Sequence, residues 1–352
     1  MSTIARSPRP PFVRDADGGA HAERFLLSAV ATVLLIRAFL AATGYPQLGR
    51  GGLHIAHMLW GGLAMGVALL AALLSLNRQA KPFAAVVGGI GFGFFIDELG
   101  KFITRDYDYF YQPAIALIYI VFVTFFLILR LVFNRSPLTD DDRLANALTI
   151  MKDMAIEDLD VNEKAQAAAL LDRCDPKDPR VALLRSFLDR LAVVPAPAPN
   201  AYQRARQWLV ARAEHLITRP LFPSVVTGVF VAQALAGVVW AFGTARVLWT
   251  LYREPFAQRH LDVGFMEWAT IASTLLSAML VWYGAACLLR SRARAYVAYR
   301  RALMIAVLLT QFFVFYDSQL LGLVGLSVNL VQLAAVRYLL ARELEPGVAR
   351  AG

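Results

Sequence analysis

Eight runs of about twenty apolar residues dominate the chain, and their length is the tightest constraint on its fold. They cover residues 25–43, 53–76, 83–104, 113–133, 222–252, 264–289, 302–320 and 321–340. A helix rising about 1.5 Å per residue needs about 20 residues to cross a bilayer's hydrocarbon core, and it satisfies its own backbone polar groups on the way. The last two runs form one apolar stretch, too long for a single crossing, so the chain is expected to reverse near Asp317-Ser318-Gln319 and Gly322 in a tight hairpin. With 58% hydrophobic and 17% charged residues, the chain is too apolar for an ordinary aqueous surface. The expected fold class is all-α, a polytopic helical membrane bundle of about eight transmembrane helices with a small helical cytoplasmic insertion.

Lys and Arg set the expected orientation, because cytoplasmic connections carry the excess. With the N-terminus inside, 26 of the 35 basic residues fall on cytoplasmic segments and only Arg50, Arg105, Arg253 and Arg259 on external ones. Both termini are therefore expected in the cytoplasm. The net charge of +9 is a matter of topology and not of a nucleic-acid interface, since the basic residues lie in short segments between apolar runs. The two cysteines, Cys174 and Cys287, supply neither a disulfide framework nor a four-thiolate metal site.

The expected organisation has a disordered basic tail at 1–24, four spans in 25–133, a cytoplasmic helical domain with a Pro-rich linker at 134–219, four spans in 220–341 and a short tail at 342–352. Within the insertion, Thr139-Asp140-Asp141-Asp142 reads as a helix start followed by Leu144, Leu148 and Met151 at helical spacing. Val181, Leu184, Leu188 and Leu191 mark another amphipathic helix, and residues 201–218 a basic one. The insertion carries no catalytic signature; a bundle that packs on itself or on the membrane face is the simpler reading, a docking site for a cytoplasmic protein partner the other.

Ionisable side chains inside a span are costly and mark either a function or a structural ion pair. The topology sends Arg37, His54, His57, Asp97, Glu98, Lys101 and Asp317 to the extracytoplasmic half, and rise alone puts His57 and Asp97 at similar depth. Gly61, Gly62 and Gly66 in the second span, with Gly88, Gly89, Gly91 and Gly93 in the third, are expected to let the backbones approach closely. The same glycines do not make a nucleotide loop, since a third glycine at the required spacing and a preceding strand are both missing.

His54, His57 and Asp97 are candidate ligands for a divalent metal such as zinc, which accepts imidazole and carboxylate. The purely structural alternative pairs Lys101 with Asp97 and Glu98 with Arg37, leaving the His residues to hydrogen-bond at the interface. Neighbouring Asp97 and Glu98 point about 100° apart on a helix, so both are not expected to bind one ligand directly. A third use of the groups is proton or ion coupling, in which a buried carboxylate and a His titrate as a substrate passes. Tyr107, Tyr109, Phe110 and Tyr111 read as an interfacial aromatic belt.

The block His54-Ile-Ala-His57, then Gly91-Phe-Gly93-Phe-Phe-Ile-Asp97-Glu98-Leu-Gly100-Lys101-Phe-Ile-Thr104, then Asp106-Tyr-Asp108-Tyr109-Phe110, resembles a family of uncharacterised bacterial integral membrane proteins. The resemblance covers roughly residues 50–135, implies a bacterial inner-membrane protein and brings no activity with it. The placement of His beside an Asp-Glu pair is also similar to that in membrane hydrolases with intramembrane zinc, from which the chain departs in having no third His within a span. The sequence thus leaves three functions open: an outward-facing polar pocket for a metal or a polar or lipid headgroup, serving a membrane hydrolase; a proton- or ion-coupled transporter; and a non-catalytic membrane scaffold.

Overall fold

The computed structural model describes residues 13–43, 57–99, 103, 113–134, 137–156, 159–195, 198, 201–253, 265–318 and 322–344. Among them the chain is all-α, with a single isolated bridge between Asp160 and Val194 and no strand. Among the described residues seven helices are long and apolar enough to cross a membrane, which makes this a multi-pass helical bundle. Their outward faces agree: Leu63, Leu73, Val239 and Phe242 are each at least 60% exposed, an apolar surface suited to lipid.

The chain divides into two compact units, residues 1–109 with 124–199, and residues 110–123 with 200–352. In the first unit, α1 (Gly18–Thr43), α2 (His57–Leu74) and α3 (Ala80–Asp97) form the membrane core. The expected first span, 25–43, is helical throughout as part of α1, which stands outside the set of seven. Helix α4 (Ala114–Asn134) begins in the second unit, where Tyr119 packs on Phe315, and ends in the first, where Phe125 packs on Phe25.

Glycine decides how α1, α2 and α3 meet. On α3, Gly88 and Gly91 face α2, whereas Gly89 and Gly93, one turn apart, face α1. A Cβ on Gly91 would stand 2.6 Å from the Gly61 carbonyl oxygen, and one on Gly93 2.6 Å from that of Ala29. Backbones come this close only where side chains are missing, so α3 is sandwiched between its neighbours. The expectation was too broad for α2: Gly61 makes the contact, but Gly62 and Gly66 face open space.

The insertion folds into α5 (Asp140–Met151), a 3-10 turn (Lys152–Ile156), α6 (Val161–Leu171) and α7 (Pro179–Arg190). Thr139 caps α5 in a reciprocal box with Asp142, as its sequence foretells, and Asp178 with Pro179 starts α7. Helix α6 was not foreseen, although Asp160 and Glu163 form a second capping box. Leu144, Ile150, Leu159, Leu171 and Leu188 close a small core of their own.

Part of the expected disordered tail is ordered. The Arg14 amide donates to Asp142 Oδ1 at 3.0 Å, its guanidinium reaches Asp142 Oδ2 at 3.1 Å, and α1 already begins at Gly18. Beyond it, Arg78 in the α2–α3 turn donates to Asp17, Glu163 and Gln166, and Lys81 pairs with Asp15. Burial would push the Asp142 carboxyl up, but hydrogen bonds from the Arg14 and Thr139 amides and side chains outweigh it and hold its pKa at about 2. Tail, turn and insertion, three segments that the charge count assigns to one side, meet at one end of the α1–α3 bundle.

In the second unit, α8 (Ala201–Ile217) is followed by the long apolar helices α9 (Phe222–Arg253), α10 (Phe265–Leu288), α11 (Arg292–Ser318) and α12 (Gly322–Leu344). The basic stretch 292–301, expected as a loop, forms the first turns of α11, capped by Ser291. A π-helical segment, Ala306–Thr310, interrupts α11, and the Tyr119 hydroxyl donates to the Val307 carbonyl within it. Helix α11 stops at Ser318 and α12 starts at Gly322, the expected point of reversal; Arg292 and Glu343 then come together at the far ends. Tyr299 stacks on Phe230 in a core closed by Tyr296, Val281 and Val336.

Candidate functional site

The glycine register extends to the polar groups. On α3 the stripe Gly89, Gly93, Asp97 repeats every four residues, so Asp97 faces α1 as the glycines do. There the Arg37 Nε donates to Asp97 Oδ1 at 2.6 Å, and Arg37 Nη2 lies 3.5 Å from the Asp97 carbonyl oxygen. On α2, His57 stands one turn before Gly61 and shares its face toward α3. His57 Nε2 is 3.3 Å from Asp97 Oδ2, and Nδ1 is 2.9 Å from Glu98 Oε1.

One imidazole therefore bridges two adjacent carboxylates, although neighbours on a helix point about 100° apart. Helix α3 ends at Asp97, with Glu98 as its C-cap at φ −78° and ψ 0°, and both side chains reach the one imidazole on α2. The expected pairing of Glu98 with Arg37 is thus corrected to Asp97 with Arg37, and the expected divergence of Asp97 and Glu98 is corrected to a shared partner.

Both carboxylates are completely buried, the Arg37 side chain is 12% exposed and that of His57 20%. Such groups persist out of water only when their charges balance. Arg37 offsets one carboxylate. An imidazole facing a carboxylate oxygen from each ring nitrogen offsets the second when it carries both N–H groups. The negative end of α3 lies under its own two carboxylates, and the positive end of α2 faces them through His57. Phe94 closes the ring's other side at 6.0 Å.

Three sequence candidates fall elsewhere. His54 and Lys101 lie outside the described residues, as do Tyr107, Tyr109, Phe110 and Tyr111. Asp317 belongs to the second unit, where it is exposed and accepts from the Ser318 hydroxyl. Among the described residues no group of three or more His, Cys, Asp or Glu side chains is arranged to hold a metal ion. Asp97 has one oxygen against Arg37 and the other against His57, so ligation there would displace an existing partner.

No protein-family model, no curated protein and no solved structure matches this chain.

Proposed function

We propose that the chain is a proton-coupled membrane transporter in which Arg37, His57, Asp97 and Glu98 form the proton-binding site. The observation that carries this reading is the bridging of two fully buried carboxylates by a single imidazole that retains access through its own exposed edge. Loss of the imidazole proton removes the positive charge that faces the Asp97 and Glu98 carboxylates out of water, and the cluster responds by moving side chains, admitting a cation or recovering a proton. Intramembrane carboxylate and His chains serve proton relays by this physics. The occupied oxygens of Asp97 favour this reading over a zinc hydrolase.

In this reading the site opens to the external face of a bacterial inner membrane and both chain ends are cytoplasmic. The charge bias supports it, as does the convergence of tail, α2–α3 turn and insertion at the end away from His57. An eight-span count, α1 included, fits the same arrangement. The cytoplasmic insertion, clamped by Arg14 and Arg78, is then a regulatory element close to the inner ends of the helices that carry the site.

The test uses proteoliposomes with trapped pyranine, an outward-facing set of organic acids, amino acids and sugars, and an imposed potential. Internal acidification that requires both a cargo and His57 is expected. Proton movement unchanged in His57→Gln, or no cargo-dependent proton movement with any of the solutes, overturns the proposal.

A further inference from the structure

The second unit contains an open cavity of about 390 Å³ between α9, α10, α11 and α12. Its polar lining comes from Gln233, Thr274, Ser277, Thr310, Asn329 and Gln332, which carry no formal charge, and the remainder is apolar. These residues stand around the middle of helices long and apolar enough to cross a membrane, which in a bilayer is the depth of the hydrocarbon core.

Two side chains point to a ligand. Gln332 is 94% buried, its Nε2 donates to Gln233 Oε1 at 2.6 Å, and its own Oε1 has no partner. An orphaned amide oxygen in an apolar interior costs about 1–3 kcal/mol, so a donor is wanted there. The Thr310 hydroxyl is buried and unpartnered as well. Elsewhere Thr32, Thr43, Thr149, Thr218 and Thr270 each donate to the carbonyl four residues back. Thr310 closes the π-helical segment 306–310, where the ladder is re-registered, and π segments of this kind recur at functional sites. Ser277, by contrast, is satisfied by the Ala302 carbonyl. At the mouth, Trp240 and Gln233 remain exposed and offer an apolar plate beside an amide.

From this geometry we infer a second binding site, for a neutral molecule dissolved in the bilayer that bears a hydroxyl or amide N–H on an apolar body. Its donor meets Gln332 Oε1, its oxygen accepts from Thr310, and its apolar part fills the space lined by Ala234, Gly237, Ala278 and Trp240. A charged ligand is excluded, since nothing in the lining offsets a charge. The site is independent of the proton cluster and stands if that reading fails.

The test is photolabelling of the purified full-length protein in nanodiscs with 3-azioctanol, followed by mapping of the labelled residues. Labelling is expected at the cavity walls, on α9 and α10, and 1-octanol is expected to compete about tenfold better than 1-methoxyoctane, which lacks the donor. Thr310→Val, nearly the same in volume, is expected to lower cavity labelling severalfold without altering thermal unfolding, and Gln332→Leu to lower it further. Equal competition by the alcohol and its ether, or label spread evenly over lipid-facing helix surfaces, overturns the inference; either result is read on the wild type whether or not a variant folds.

Discussion

Arg37 and Asp97 are 60 residues apart in sequence and 2.6 Å apart in space, and they join α1 to the end of α3 at full burial of the carboxylate. Breaking a buried pair by removing one partner leaves the other charge stranded, at a cost of about 3–5 kcal/mol. Asp97→Asn and Arg37→Met are each expected to lower stability by about that much, and the double variant by clearly less than their sum. Thermal unfolding in one detergent across the double-mutant cycle measures the coupling; additive losses would mean that the two side chains do not interact.

Close backbone approach makes a second expectation. Gly91→Ala forces a methyl against the Gly61 carbonyl and Gly93→Ala one against Ala29, so each is expected to cost about 1–3 kcal/mol. Gly62→Ala and Gly66→Ala meet open space and are expected to be neutral or slightly stabilising, as alanine is the better helix former. The four variants, compared by thermal unfolding, should separate into these two pairs.

How much was legible in the sequence follows from these same residues. The apolar runs, the reversal near Gly322 and the Thr139 cap are local signals, and each has its helix or cap in the structure, although the helix over 83–104 stops at Asp97 and the one over 302–320 begins at Arg292. The participation of Arg37, His57, Asp97 and Glu98 was legible as well, because charge inside an apolar run is conspicuous. Their pairing was not. It depends on where α3 ends, one residue before Glu98, and on which glycines face which neighbour. The four-residue stripe through Gly89, Gly93 and Asp97 was available as a clue to the α1 partner. The ordered Arg14 was missed because its partner, Asp142, is 128 residues away. The cavity around Gln332 left no ionisable residue to draw the eye.

Acid should detach the N-terminal segment from the insertion. The Asp142 carboxyl sits at about 2 in the folded protein against an ordinary 3.8, so its contribution is complete above about pH 4 and is lost as pH falls toward 2. Hydrogen exchange is expected to show the Arg14 and Ala16 amides, bonded to Asp142 and Asn146, losing protection across that window. In Asp142→Asn these amides are expected to exchange independently of pH there, after correction for intrinsic rates. A wild type protected unchanged to pH 2 would contradict the assignment.

The second capping box gives a local expectation. Asp160→Ala removes the acceptor for the Glu163 amide and is expected to destabilise the insertion by about 1 kcal/mol, read as faster amide exchange in α6 while α1–α3 stay unchanged.

The most direct test of the proton held between His57 and the two carboxylates is infrared difference spectroscopy of the protein in nanodiscs across a pH step. A protonation-linked carboxylate band is expected in the wild type as the imidazole facing the two carboxylates gains or loses its charge, altered in His57→Gln and absent in the double variant Asp97→Asn with Glu98→Gln. A wild-type spectrum without such a band, or a band that survives the double substitution, would contradict a proton held by the Asp97, His57 and Glu98 cluster.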